Sequence, residues 1–157
     1  MIELELVGVR VELPNNQPIV LLKERTGERF LPIWIGPVEA TSIAFALQGV
    51  ATERPMTHDL MRDLLASLEV SVDRIVVTEL RERTFYAEIQ MTADGGSVVV
   101  SSRPSDAIAL AVRATVPIFA DESVLAEAGI EIEDEDEAEV EQFKEFLDKV
   151  IPEDFRE

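Results

Sequence analysis

Apolar residues alternate with polar ones from the start of the chain. Ile2, Leu4 and Leu6 hold one phase, and Val7, Val9, Val11 and Leu13 hold the other. This predicts one long strand over residues 2–13, with a β-bulge beside Gly8 where the phase changes. Pro14-Asn15-Asn16-Gln17-Pro18 is a turn by composition. A second strand follows over 19–23, a turn at Thr26-Gly27, and a third strand from Arg29 to Ile35, whose Trp34 is expected in the core. Gly36-Pro37 opens a helix, because proline is tolerated at the first helical position. Ala40, Ile43, Ala44 and Leu47 share one face of it, and Gly49 stops it. Thr57 is the expected cap of a second helix running to Leu68, with Leu60, Met61, Leu64 and Leu65 as its apolar stripe.

The same order then recurs. Val70–Leu80, Thr84–Met91 and Ser97–Ser102 read as strands separated by Arg81-Glu82-Arg83 and Asp94-Gly95-Gly96. Arg103-Pro104 opens a helix carrying Ala107, Ile108, Leu110, Ala111 and Val112. A short strand at Pro117–Ala120 precedes a brief helix, capped by Ser123 and ended by Gly129. An offset of 67 residues lays Pro37 on Pro104, Glu39 on Asp106, Ala40 on Ala107 and Ala44 on Ala111. The expected architecture is α+β: one domain of duplicated β-β-β-α-α units, with a mainly antiparallel sheet packed by helices. It spans residues 1–130. Residues 131–157 form an acidic linker and an amphipathic helix, with Val140, Phe143, Phe146, Leu147 and Val150 on one side, able to pack on the body or on another subunit.

Composition narrows the chemistry. A 157-residue chain with 46% hydrophobic residues suffices for one buried core. It has no cysteine, which excludes disulfides, zinc–thiolate sites and cysteine nucleophiles, and a reducing cytosol is expected. No apolar run approaches the roughly 20 residues of a membrane span, so no membrane partner is expected. The alternating apolar and acidic start does not read as a signal peptide. The net charge is −18, unevenly spread: residues 1–120 hold 16 acids against 11 bases, residues 121–157 hold 16 against 3. Charge alone therefore does not nominate nucleic acid, and the acidic run at 131–137 reads as a solvated segment or as a competitor for the body's arginines.

Two clusters could carry chemistry. Glu39 and Asp106 each lie two residues after a helix-opening proline, where free N–H groups and the helix dipole favour a carboxylate. Brought together by the duplication, they could hold a divalent cation such as Mg; as capping residues they need no function. Arg103 and Ser105 beside Asp106 suit a phosphate at a helix N-terminus. The second cluster is Arg54-Pro55-Met56-Thr57-His58-Asp59. His58 is the only histidine, so any imidazole base must be it, although a lone histidine is also at home on a surface or interface. Phosphate-loop, dinucleotide, zinc-protease and nucleophile-elbow motifs are missing.

Leu31-Pro32-Ile33-Trp34-Ile35-Gly36, Glu39-Ala40, Arg54–Leu60 and the stretch from Ser101 to Ala111 together resemble the bifunctional nuclease domain family. The likeness runs from about residue 4 to about residue 130 in the family's motif order. It implies a bacterial, cytoplasmic, homo-oligomeric nuclease acting on RNA and DNA. The matching polar positions are Glu39, Arg54, Thr57, His58, Asp59, Arg103, Ser105 and Asp106. In that reading Arg54 and Arg103 grip phosphate, His58 activates water or protonates the leaving oxygen, Asp59 orients His58, and Glu39 and Asp106 hold any metal. The rival is a non-enzymatic oligomeric interaction or regulatory module, in which the same residues are caps and salt bridges. Convergence of the Arg54–Asp59 loop and the Arg103–Asp106 turn in one open cleft would separate the two.

Overall fold

The computed structural model describes residues 1–12 and 16–131. Leu13 and the start of the expected Pro14–Pro18 turn, the acidic run beyond Glu131 and the helix expected at Val140–Val150 lie outside them. In chain order the elements are β1 (Ile2–Glu12), β2 (Gln17–Glu24), β3 (Arg29–Trp34), α1 (Pro37–Gln48), α2 (Thr57–Ser67) and β4 (Ser71–Arg81). There follow β5 (Thr84–Ala93), β6 (Gly96–Ser102), α3 (Pro104–Ala114), β7 (Ile118–Ala120), α4 (Glu122–Ala128) and β8 (Ile130–Glu131). The phase change in β1 is a bulge: its pairing with β2 shifts register between Leu6 and Gly8.

The two halves each lay down an antiparallel three-stranded meander, and β7 joins them. The sheet order is β6-β5-β4-β7-β1-β2-β3-β8, with β7 antiparallel to β1 and parallel to β4. The mainly antiparallel α+β architecture is therefore as expected. The repeat holds for the meanders and for α1 and α3, the helices that follow them. It breaks afterwards: α2 packs on α3, while the second half inserts β7 before α4. The sheet is also strongly curled. Helix α4 touches both β3 and β4, four positions apart in the sheet. At about 4.8 Å per strand a flat sheet would hold them roughly 19 Å apart, wider than a helix of about 10–12 Å.

Helix α3 is the hub. It packs on α1, α2, β4 and β5, and Ala107 through Ala111 are all buried. Small residues at 107, 109 and 111 let neighbouring backbones approach, while Ile108 and Leu110 each contribute about 1.5–3 kcal/mol by leaving water. Helix α1 buries Ala40, Ser42, Ile43 and Ala44 and ends at Gly49, whose φ of 66° is left-handed. That conformation turns the Gly49 and Val50 N–H groups back onto the Ala46 and Phe45 carbonyls.

Four expectations need correction. Trp34 is 53% exposed at the end of β3, not in the core. Leu47 is exposed, since α1 turns only Ala40, Ile43 and Ala44 inward. On α2, Leu60 and Leu64 face solvent while Met61 and Leu65 are half-buried, because α2 rests on α3 by one narrow edge. The caps lie earlier than expected: Met56 and Asp121 precede α2 and α4, and Ser123 donates to Asp121 instead of capping.

Candidate functional site

Three helices begin alike. Glu39, Asp59 and Asp106 are each the third residue of their helix, where a carboxylate can reach back over the free N–H groups of the first turn. Each uses that position differently. Asp59 takes the ordinary course: Oδ2 accepts the Met56 N–H at 3.0 Å, and Oδ1 accepts Arg113 Nε at 2.7 Å. The Glu39 carboxylate folds over Gly36, where a Cβ would collide with it. Asp106 turns sideways to His58 and Arg103.

His58 is buried between α1 and α3. Its Nε2 lies 2.9 Å from Asp106 Oδ1, and its Nδ1 lies 2.7 Å from Ser42 Oγ. With Asp106 ionised, Nε2 must carry a proton; a neutral ring then accepts the Ser42 hydroxyl proton at Nδ1, and every polar atom is satisfied. Serine, histidine and aspartate in this order have the composition of a nucleophilic triad. Ser42, however, is 3% exposed and His58 4%, so neither reaches a substrate. Arg113 adds a second tie, donating from Nη2 to the Ser42 carbonyl at 3.0 Å as well as to Asp59. The two polar rungs bind α1, α2 and α3 together.

Burial pushes the Asp106 carboxyl up, but hydrogen bonds from His58 and Arg103 and the Arg103 charge outweigh it. The group sits below its ordinary value of 3.8. Burial likewise opposes ionisation of Asp59, and Arg113 and the Met56 amide hold it below 3.8. The hydrogen bond to Asp106 raises Arg103.

Arg103 carries the cluster to the surface. Its Nε and Nη2 each lie 2.9 Å from Asp106 Oδ2, and Nη2 lies 3.6 Å from Glu39 Oε2. It thereby bridges the starts of α1 and α3. Beside it opens a cleft of about 360 Å³ lined by Gln17, Trp34, Gly36, Arg83, Phe85 and Ser105 among others. Trp34 ends β3 and Phe85 begins β5, five positions apart in the sheet, so the curl of the sheet makes the cleft.

The expected site residues therefore separate. His58 and Asp106 converge, but in a buried join; Arg103 and Ser105 reach the cleft; Glu39 does not line it and is tied to it through Arg103. Asp59 is held by Arg113, which corrects the expectation that it orients His58: Asp106 and Ser42 do that. Arg54 is exposed on the loop before α2, makes no ion pair among the described residues and does not line the cleft. Glu39 and Asp106 share a guanidinium where a cation would sit, and no group of three or more His, Cys, Asp or Glu among the described residues could hold a metal. The donor set does not fit a resident divalent ion. Ser42, Arg113, Trp34 and Arg83 were not singled out as site residues from sequence. The polar Ser42 between Ala40 and Ile43, and Arg113 at the end of the apolar run 107–112, were the only hints of the first two.

Among the described residues no helix is long and apolar enough to cross a membrane. Residues 20–133 match the family model of the bifunctional nuclease domain. An uncharacterized protein of Mycobacterium tuberculosis is 50% identical over 98% of both chains. Bifunctional nuclease 2 of Arabidopsis thaliana is 31% identical over 68% of this chain and 34% of its own length. Bifunctional nuclease 2 of Oryza sativa subsp. japonica is 28% identical over 75% and 38%. The chain thus spans about a third of the length of these plant relatives.

Proposed function

The chain belongs to the bifunctional nuclease domain family, and from that premise we propose that it hydrolyses phosphodiester bonds in RNA and DNA. The observation that carries the reading is Arg103, clamped between two carboxylates at the mouth of an aromatic cleft that also holds Arg83. Guanidinium groups recognise phosphate oxygens in a fixed fork, and indole and phenyl faces accept unpaired bases. DNA lacks the 2′-hydroxyl that could attack its own phosphate, and in this scheme water is the nucleophile. In the same scheme Glu39, the carboxylate beside Arg103, takes the proton of that water as it attacks phosphorus. Arg103 and Arg83 stabilise the charge gathering on the phosphate oxygens, and the departing oxygen takes a proton from solvent.

Asp106 fixes Arg103, and His58 fixes Asp106; both are positioning residues in this scheme. Ser105, buried at the second position of α3 and lining the cleft, would offer its helix-start N–H to the same anion. Arg54 and Asp59 act outside the chemistry, Asp59 by holding α2 in place. No step runs through a metal.

The test is turnover of single-stranded RNA and DNA by highly purified protein beside Glu39→Gln, Arg103→Ala and His58→Ala. Loss of a general base or of phosphate stabilisation typically costs 10²–10⁴-fold, and that drop is expected for the first two. Turnover is expected to persist in chelator. Activity unchanged in both Glu39→Gln and Arg103→Ala would discard the assignment. The interaction-module reading is favoured by two observations, the complete internal pairing of His58 and the absence of the Arg54–Asp59 loop from the cleft that Arg103 lines, and it prevails if the wild-type protein has no turnover at all.

A further inference from the structure

The two ends of the sheet are finished differently. At one end β8 pairs with β3 at Arg29 and Phe30 and carries Glu131, a charge that protects an edge. At the other end β6 runs seven residues without a charge, a proline or a register shift, and residues 96–101 are all exposed. Its centre is Val98-Val99-Val100, at 39%, 50% and 47% exposure, a β-branched run of high strand propensity. Val98 and Val100 pair with Met91 and Ile89 of β5, which are buried, so these two valines extend the core layer to an edge where nothing among the described residues covers it.

The sequence of this edge is a palindrome: Ser97-Val98-Val99-Val100-Ser101. In an antiparallel pairing of two copies centred on Val99, each serine meets the other serine and Val98 meets Val100. One surface patch is then its own complement, which a two-fold interface requires. The flanks add charge complementarity. In that register Asp94 and Gly95 of the β5–β6 turn come beside the partner subunit's Arg103, and the reverse holds by symmetry. Asp94 is exposed and makes no ion pair among the described residues, and the Arg103 side chain is 65% exposed. In a chain of net charge −18, whose copies repel over most of their surface, an uncharged strand with an acid at one end and a base at the other is where two copies fit.

We propose that β6 is the interface of a two-fold homodimer, with a second copy of this chain adding its own β6 antiparallel about Val99 to form one continuous sheet. The pairing satisfies the outward backbone groups of the edge and closes the valine layer over the axis. It also brings the partner subunit's Asp94 to the rim of each candidate site, so the dimer sets the charge around Arg103.

Because the chain has no cysteine, Val99→Cys supplies a single thiol. Across a two-fold antiparallel pair those thiols face each other, and mild oxidation is expected to yield one covalent dimer. Leu64→Cys, equally exposed on α2, is the control and is expected to stay monomeric on denaturing gels. In solution the wild type is expected at twice 17.5 kDa by light scattering, and Val99→Lys, which sets two ammonium groups face to face, at the monomer mass with an unchanged circular dichroism spectrum. The proposal is overturned by a monomeric wild type, by a Val99→Lys variant that remains dimeric, or by Val99→Cys cross-linking no more than Leu64→Cys.

Discussion

His58 shows how one side chain can carry a motif without carrying chemistry. Both ring nitrogens are engaged, by Ser42 and by Asp106, and the residue is only 4% exposed. Its role is to hold the carboxylate that holds Arg103. Ser42→Ala removes the hydroxyl that Nδ1 accepts and strands a buried acceptor, which costs about 1–3 kcal/mol. A urea melt of that variant should show this loss with little change in the slope against denaturant. The acid limb of stability follows from the same cluster. The folded pKa values of Asp106 and Asp59 lie below the unfolded value of 3.8, so the ionised pairs contribute stability that is complete above that value. It is lost as pH falls from 3.8 through the lower folded values. Asp106→Asn should therefore flatten the fall in melting temperature below about pH 4 while leaving the neutral plateau lowered. His58 and Asp106 stood out in the sequence through their motifs. Ser42 and Arg113 did not, because a lone serine on an alanine-rich helix face and an arginine at the end of an apolar run acquire meaning only from partners 16 and 54 residues away.

The hairpins show the same separation between what local pattern reveals and what the site demands. Both hairpins of the second meander have two-residue loops with positive φ at each position: Glu82 and Arg83 between β4 and β5, Asp94 and Gly95 between β5 and β6. Asp-Gly is the preferred chemistry for such a turn. Glu-Arg is not, since side chains with a Cβ pay roughly 1–2 kcal/mol for the left-handed conformation. The unfavourable turn is the one that presents Arg83 to the cleft. Glu82→Asn combined with Arg83→Gly should thus raise stability by about 1–2 kcal/mol in thermal melts, yet lower kcat/KM on single-stranded substrates. Stability and activity both rising would show that Arg83 has no part in binding. Trp34→Ala, at the end of β3, should weaken binding of an unpaired oligonucleotide by about 1–3 kcal/mol through lost stacking, measured by fluorescence anisotropy. Strand and helix positions were legible from periodicity and from Pro37, Gly49 and Pro104. The exposure of Trp34, Leu60 and Leu64 was not, because an apolar run specifies a strand or helix but not which side is covered.

At the scale of the whole molecule the unresolved tension was a polyanionic substrate on a chain of net charge −18. The fold eases it by distribution. Arg83 and Arg103 flank the same end of the β5–β6 pair, whose register sets Ser102 opposite Ala87; the curl of the sheet, which depends on β7 joining two meanders, brings Trp34 to the cleft they line, and no local pattern announces it. Among the described residues only those two arginines line the cleft, which fixes how binding must respond to salt. Two phosphate contacts to a single strand release about two counterions, giving a log–log slope of affinity against salt of about −1.4. Acidic groups elsewhere repel the strand over about 10 Å at moderate ionic strength, and added salt screens that repulsion too. The measured slope should therefore be shallower than −1.4. Replacing Glu133, Asp134, Glu135, Asp136 and Glu137 by their amides should tighten binding at low salt and leave it unchanged at high salt, where both proteins converge. A slope well beyond −1.4 would mean that more cations touch the strand than the cleft supplies. Arg54, exposed and without an ion pair among the described residues, is the first that substitution should then test.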